Sequence, residues 1–257
     1  MLGESPIMKR TKFCYQNKAD LGIATEKEFP HTAVIQVEDL RVNKNDFMNR
    51  TSQCGGSLVS DRHVMTSFYC VSSAVNYKLS VYLGVFNLNA IDDGIRYDVD
   101  EVNVKYGVAI LKLSRKVEFN EKIMPVCLSS GNDLTSPVIL TGWSGDWREC
   151  DPKLKKWHIE PQSIIKTTWH LKVIESTIIN YRQSLLVGSP LQIYHPDNTC
   201  QYSLVGFYEQ TIVGQYTFNN LSKKLRWIES IVWPNRLVDM AVRSYAIMKN
   251  ALRPRNM

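Results

Sequence analysis

The chain has 257 residues, 44% of them hydrophobic and 22% charged, with 31 Lys+Arg against 25 Asp+Glu for a formal charge of +6. That balance belongs to a globular protein and excludes a disordered one. No run of 18 apolar residues occurs, which excludes a helical membrane span, and 13 Gly with 10 Pro exclude collagen-like and low-complexity classes.

Along the chain, residues 1–27 are polar and mixed and read as an irregular N-terminal arm. From Thr32 onward, short β-rich runs follow one another between turn residues: 32–37, 56–60, 63–68, 78–83, 107–113 and 137–140, then 163–173, 189–194, 202–208 and 210–218. So many short strands at this spacing predict a barrel or sandwich. Helical character is confined to the end. Residues 221–233 predict one helix, stopped by Pro234, and apolar residues recur at helical spacing over 236–252. No internal repeat is visible, and no linker divides 28–234.

The basic excess is uneven. Residues 234–257 carry a net +4, which leaves +2 for everything before them. A nearly neutral body argues against a nucleic-acid partner. The tail, 235–257, reads as a basic helix docked on the body or as a frayed end; an amphipathic helix meeting an acidic partner or a membrane surface is the alternative.

Six cysteines, Cys14, Cys54, Cys70, Cys127, Cys150 and Cys200, include no C-x-x-C, so zinc ribbons and thioredoxin-type sites lack their ligands. The even count and wide spacing favour three disulfides over six reduced thiols, with the pairing open. No H-E-x-x-H, G-x-S-x-G or P-loop occurs. His63 falls inside a predicted strand and reads as a packed or edge histidine. The acidic stretch DDGIRYDVDE (92–101) lacks EF-hand spacing and reads as a solvated loop, so no metal and no cofactor are expected.

Five segments carry a resemblance. CGGSLVSDRHVMTSFYC (54–70) resembles the strand pair CGGSLI…WVLTAAHC that opens chymotrypsin-like serine proteases. EFPHTAVIQ (28–36) resembles their first barrel strand, and YGVAILKLSRKVEFNEKIMPVCL (106–128) resembles NDIALLKL…PVCL. LTGWS (140–144) is similar to TGWG, and LVGSPLQI (186–193) to GDSGGPL. LRWIESIVWP (225–234) then resembles the closing helix of arthropod clip-domain proteases. The matches keep the family's order from about residue 28 to 234. The resemblance implies an all-β fold of two six-stranded-type antiparallel barrels with a C-terminal helix, the protease-like domain being 28–234.

The same resemblance implies that the chemistry is gone. An acyl-transfer triad needs an attacking hydroxyl, an imidazole to take its proton and a buried carboxylate to orient the imidazole. The matching positions are Val187, Tyr69 and Gly107. A phenol is a poor general base at neutral pH. Leu185 stands at the family's oxyanion-hole glycine and Leu186 at the acid that pairs with the amine made by zymogen cleavage. The cleavage start is missing, since the chain reads ADLGIATEKEFPH (19–31), and the base of the specificity pocket falls near Tyr181. The segment between Cys70 and Gly107 is shorter than usual in the family, which would remove a rim loop of the cleft.

By resemblance, Cys54–Cys70 is the opening bridge and Cys14–Cys127 ties the arm to the body. A usual family bridge is replaced by Val138 and Ile193, which leaves Cys150 and Cys200 as the third pair. Asn49 (NRT) and Asn220 (NLS) match the glycosylation sequon, and Asn220 is alternatively a helix cap. The start, MLGESPIMKR, holds no apolar stretch suited to a secretory leader. The reading implied is a non-catalytic serine protease homologue, extracellular, that binds protein partners (proteases or their substrates) as a cofactor, adaptor or decoy in a protease cascade. A structural or reproductive-fluid protein and a hydrolase with an unrecognised site are the alternatives.

Overall fold

A computed structural model describes residues 22–42, 51–72, 76–129, 134, 138–144, 152–174, 185–195, 201–212 and 215–234. Cys14, Asn49, Cys150, Tyr181 and Cys200, most of the arm and the basic tail lie outside the described residues.

The first half forms β1 (Thr32–Asp39), β2 (Thr51–Leu58), β3 (His63–Ser67), β4 (Tyr77–Leu83), β5 (Ile95–Lys105) and β6 (Val108–Leu113), which close into an antiparallel barrel in the order β1-β2-β3-β6-β5-β4. The second half holds β7 (Cys127–Leu128), β8 (Val138–Gly142), β9 (Lys155–Ile159), β10 (Ile164–Lys166), β11 (His170–Ile174), β12 (Pro190–Tyr194), β13 (Tyr202–Ile212) and β14 (Gln215–Asn219). These make one open sheet, β10-β11-β14-β13-β12-β8-β9, with β7 beside β13. The helix α1 (Leu225–Val232) follows. The expected double-barrel architecture is present: one barrel is closed, and the second curls without closing among the described residues.

Burial explains why several strands read as continuous apolar runs. In β6, Ala109, Leu111 and Leu113 fill the first barrel, while Val108 and Ile110 face a second cluster with Leu204 and Phe207 of β13 and Ile228 and Val232 of α1. In β1, Ala33, Ile35 and Val37 point inward and Val34 joins Trp143, Leu154, Leu186, Ala24 and Phe29 between the two halves. A strand buried on both faces loses the two-residue alternation that a half-solvated strand shows. The halves are thus joined by apolar contact, each face contributing on the order of 25 cal/mol per Å² removed from water.

Three sequence expectations are corrected. The acidic stretch 92–101 is largely strand: β5 pairs with β4 and β6, puts Tyr97 into the barrel, and places its charges outside, where Arg96 bonds Asp98 at 2.8 Å. The single run 163–173 is two strands, because Thr167 Oγ1 accepts from His170 N at 3.0 Å and turns the chain. The closing helix starts at Leu225 rather than 221. Asn220 builds the turn before it, accepting from Ser222 N at 3.1 Å, so it is not the helix cap.

Candidate functional site

Tyr69, Gly107 and Val187 are far apart in sequence, and the fold draws them together. Tyr69 lies in a 3-10 turn, Phe68–Cys70, started by Ser67, whose Oγ accepts from Tyr69 N at 3.3 Å. The next contact crosses to the β5–β6 turn, where Phe68 N donates to Gly107 O at 2.9 Å. Cys70, disulfide-bonded to Cys54, places its Sγ 3.8 Å from Val187 O, and Gly55 N donates to that same carbonyl at 2.7 Å. One disulfide, two backbone hydrogen bonds and a sulfur–carbonyl contact therefore hold the three positions around one point at the junction of the halves. What they present there is a phenol 52% exposed, a glycine and a half-buried isopropyl group.

The loop carrying Val187 is shaped by glycine. Gly188 has φ +84°, a conformation that glycine adopts freely and other residues do not. A Cβ there would run into Thr66 Oγ1 and Gly55 O. Leu185 and Leu186 precede it and are buried; Leu185 forms an antiparallel bridge with Ser144, and Leu186 N donates to Trp143 O at 3.1 Å. Leu186 belongs to the apolar cluster that includes Ala24 and Phe29, so the segment entering the domain is anchored by packing. Three ion pairs reinforce that segment: Glu26–Lys122 at 2.7 Å, Lys27–Glu121 and Glu28–Lys156 both at 2.6 Å.

The five histidines are dispersed. His31 is buried, and its Nε2 bonds Gln192 Oε1 at 2.5 Å; burial pushes its imidazole down to about 4. His63 opens β3 and meets Ser60 Oγ through Nδ1 at 2.9 Å, closing the β2–β3 turn. Among the described residues no carboxylate is joined to that hydroxyl–imidazole pair: Asp61 pairs with Lys116 at 3.4 Å and Glu101 with Lys112 at 3.3 Å. His158 is exposed, and His195 N donates to Gln201 O at 2.7 Å. Among the described residues no three His, Cys, Asp or Glu side chains are grouped to hold a metal.

One carboxylate that the sequence reading passed over lies directly behind the site. Glu209, 5% exposed, reaches from β13 toward the first barrel, so that a Cβ on Gly107 would stand 3.2 Å from its Oε1. Its Oε2 is 3.5 Å from His170 Nε2. Burial pushes the Glu209 carboxyl up to about 7, against the opposing pull of Lys224 and of a hydrogen bond with Asn219. Lys224, also buried, is pushed down to about 8 by burial. His170 is lowered by partial burial and then by Lys224 and Lys172. Asn219 completes the junction, donating through Nδ2 to Gly107 O at 3.2 Å and accepting from Phe207 N at 3.1 Å. The available signal was a single acid inside a mostly apolar strand, SLVGFYEQTIV.

The described cysteines are all bonded: Cys54 pairs with Cys70, and Cys127 is in a disulfide whose partner lies outside the described residues. Asn220 is buried, and its amide nitrogen donates to Thr167 O at 2.9 Å, so in the folded chain that nitrogen is committed to the β10–β11 turn and does not present a glycan acceptor.

Residues 23–176 match the Trypsin family, and the chain belongs to it. It is 31% identical over 140 residues to the clotting factor G beta subunit of Tachypleus tridentatus, a match covering 48% of this chain and 42% of that protein. It is 32% identical over 252 residues to the serine protease Hayan of Drosophila melanogaster, covering 80% of this chain and 38% of that one. The CLIP domain-containing serine protease B15 of Anopheles gambiae is 23% identical over 239 residues, 73% of this chain and 64% of that protein. The chain thus spans less than two thirds of the length of each of these arthropod relatives.

Proposed function

We propose that this chain is a non-catalytic member of its family that works by binding proteins. The observation carrying this reading is the convergence of Tyr69, Gly107 and Val187 at the point where the motifs place the triad. None of the three can attack a carbonyl, accept a proton at neutral pH or orient an imidazole. Leu186 within an apolar cluster also supports it, because packing replaces the cleavage-dependent ion pair of active relatives.

The compartment is extracellular in this reading. Disulfides at Cys54–Cys70 and at Cys127 favour an oxidising environment, and no helix among the described residues is long and apolar enough to cross a membrane. The similarity to a clotting factor subunit and to a CLIP domain-containing protease points to a cofactor, adaptor or decoy role beside cascade proteases.

Two measurements test it. A fluorophosphonate probe should leave the protein unlabelled, and Val187→Ser alone should restore no peptide hydrolysis, since triad members act as a unit. Labelling of the wild-type chain would establish the rival hydrolase reading, with the Ser60–His63 pair the first place to look. The cascade role is tested by adding stoichiometric protein to an arthropod clip-domain protease and its zymogen substrate. The rate of zymogen activation should change, and an unaltered rate would remove that role.

A further inference from the structure

The rim beside Gly107 carries two large rings that no core claims. Tyr106, in the β5–β6 turn, is 51% exposed, and Trp169, in the β10–β11 turn, is 50% exposed. Their rings stack on one another with centroids 5.8 Å apart and planes 24° from parallel. One ring comes from each half of the molecule, so the pair spans the seam.

Tyr106 holds this place under strain. Its φ is +54°, in the left-handed region where a bulky aromatic is an outlier, and Gly107 follows at +77°. Gly or Asn would be the relaxed choice for such a turn, so the ring is kept at a conformational cost. Both turns are fixed from beneath. Asn220 N donates to Trp169 O at 2.8 Å and Asn220 Nδ2 to Thr167 O at 2.9 Å, while Phe68 and Asn219 hold Gly107 O. A rigid, half-exposed aromatic surface loses little freedom when a partner covers it.

The charge around the rings is positive. The Lys105 ammonium lies 4.8 Å from the Tyr106 centroid, and Lys172, half-buried in β11, acts on the imidazole of His170, the residue after Trp169. Glu209 and Lys224, which also act beside His170, are both buried. The surface is small, two rings and a few cations on a body of little net charge, which suits a short extended chain segment and not a nucleic acid or a bilayer.

We propose that the stacked pair Tyr106 and Trp169, with Lys105 at its edge, is a docking shelf for an acidic segment of a partner protein. This rests on the reading that the chain acts by binding. Active-site labelling would sink that reading whatever a peptide does, whereas the shelf stands or falls on the variants below.

The probe is a fluorescein-labelled heptapeptide that alternates Asp or Glu with Phe, Tyr or Pro, followed by anisotropy on the full chain. Its counterpart replaces every acid by Asn or Gln. Trp169→Ala and Tyr106→Ala should each weaken binding of the acidic peptide about tenfold or more. Trp169→Phe and Tyr106→Phe should retain most of it, and Lys105→Glu should weaken the acidic peptide and spare the neutral one. Thermal unfolding of each variant separates a lost contact from a lost fold. Absence of binding at millimolar peptide, equal binding of acidic and neutral peptides, or binding indifferent to Trp169 and Tyr106 in folded variants would overturn the proposal. So would a strong preference for dextran sulfate, which would make the surface a polyanion site.

Discussion

Gly107 and Glu209 are complementary across the seam: the space a side chain at Gly107 would enter is held by the Glu209 carboxyl, 3.2 Å from where a Cβ would stand. One half of the molecule supplies the vacancy and the other fills it with an acid. Whatever a residue at position 107 did in an ancestor, the junction is now built around a carboxyl that arrives from β13.

Gly107→Asp should therefore destabilise the chain by about 3 kcal/mol. It forces a non-glycine residue into positive φ and sets a second carboxyl against a buried one. Combining it with Glu209→Ser should recover roughly half of the loss, since the steric and charge conflict goes and the backbone strain stays. Urea midpoints of the two single variants and the double variant check this; strictly additive losses would contradict it.

The same carboxyl makes stability pH-dependent. Burial raises its folded-state pKa to about 7 from an unfolded value near 4.5, so the folded form holds the proton more tightly. Its contribution is complete below about pH 4.5 and is lost as pH rises through 7. Glu209→Gln, which cannot ionise, should gain on the wild type by on the order of 2 kcal/mol between pH 4.5 and 8. Parallel unfolding curves across that range give the difference directly.

His31 acts in the opposite sense. Its imidazole is buried neutral and pushed down to about 4, so the folded state binds fewer protons than the unfolded one. Stability from this group is present above about pH 6.5 and drains away as pH falls toward 4. His31→Phe should cost about 2 kcal/mol at pH 7, because it orphans Gln192 Oε1. It should also flatten the pH slope between 4 and 6.5, which denaturant titrations at several pH values would reveal.

The opening bridge closes a loop of modest size, Cys54 and Cys70 being 16 residues apart. Replacing both by Ala should cost about 3 kcal/mol on the chain-entropy account. Because Cys70 also sits against the Val187 carbonyl, the loss should be accompanied by faster amide exchange at Gly55, whose N–H donates to that carbonyl. Hydrogen exchange of the double variant tests the second half of this statement.

Much of the fold was legible. Runs such as AVIQV and GVAILKL announce strands because both faces of these strands are largely buried, and their single polar residues, Gln36 and Lys112, fall at the partly exposed positions. The segment IRYDVDEVNVK hid its strand because the charges of β5 sit on the outer face of a barrel, where alternation is broken by an irregular register between Val99 and Glu101. KKWHI, now β9, was missed for a related reason: two lysines open it, one of them buried and the other paired with Glu28 across the entering segment. Glu209 carried only the weak signal of one acid in a mostly apolar strand, and no motif marks it as a site residue.

By its own pattern the sequence determined the all-β class and the place of the closing helix, while resemblance to the family's motifs implied that Tyr69, Gly107 and Val187 stand at its reactive positions. These are local signals, carried by side-chain periodicity and by short motifs. Only the tertiary structure decided that the three positions meet, that Glu209 fills the space beside Gly107, and that Tyr106 stacks on Trp169. Each of those contacts joins segments from different strands or different halves. Their approach is set by how the sheets curl and pack against one another, and no local stretch of chain encodes that distance.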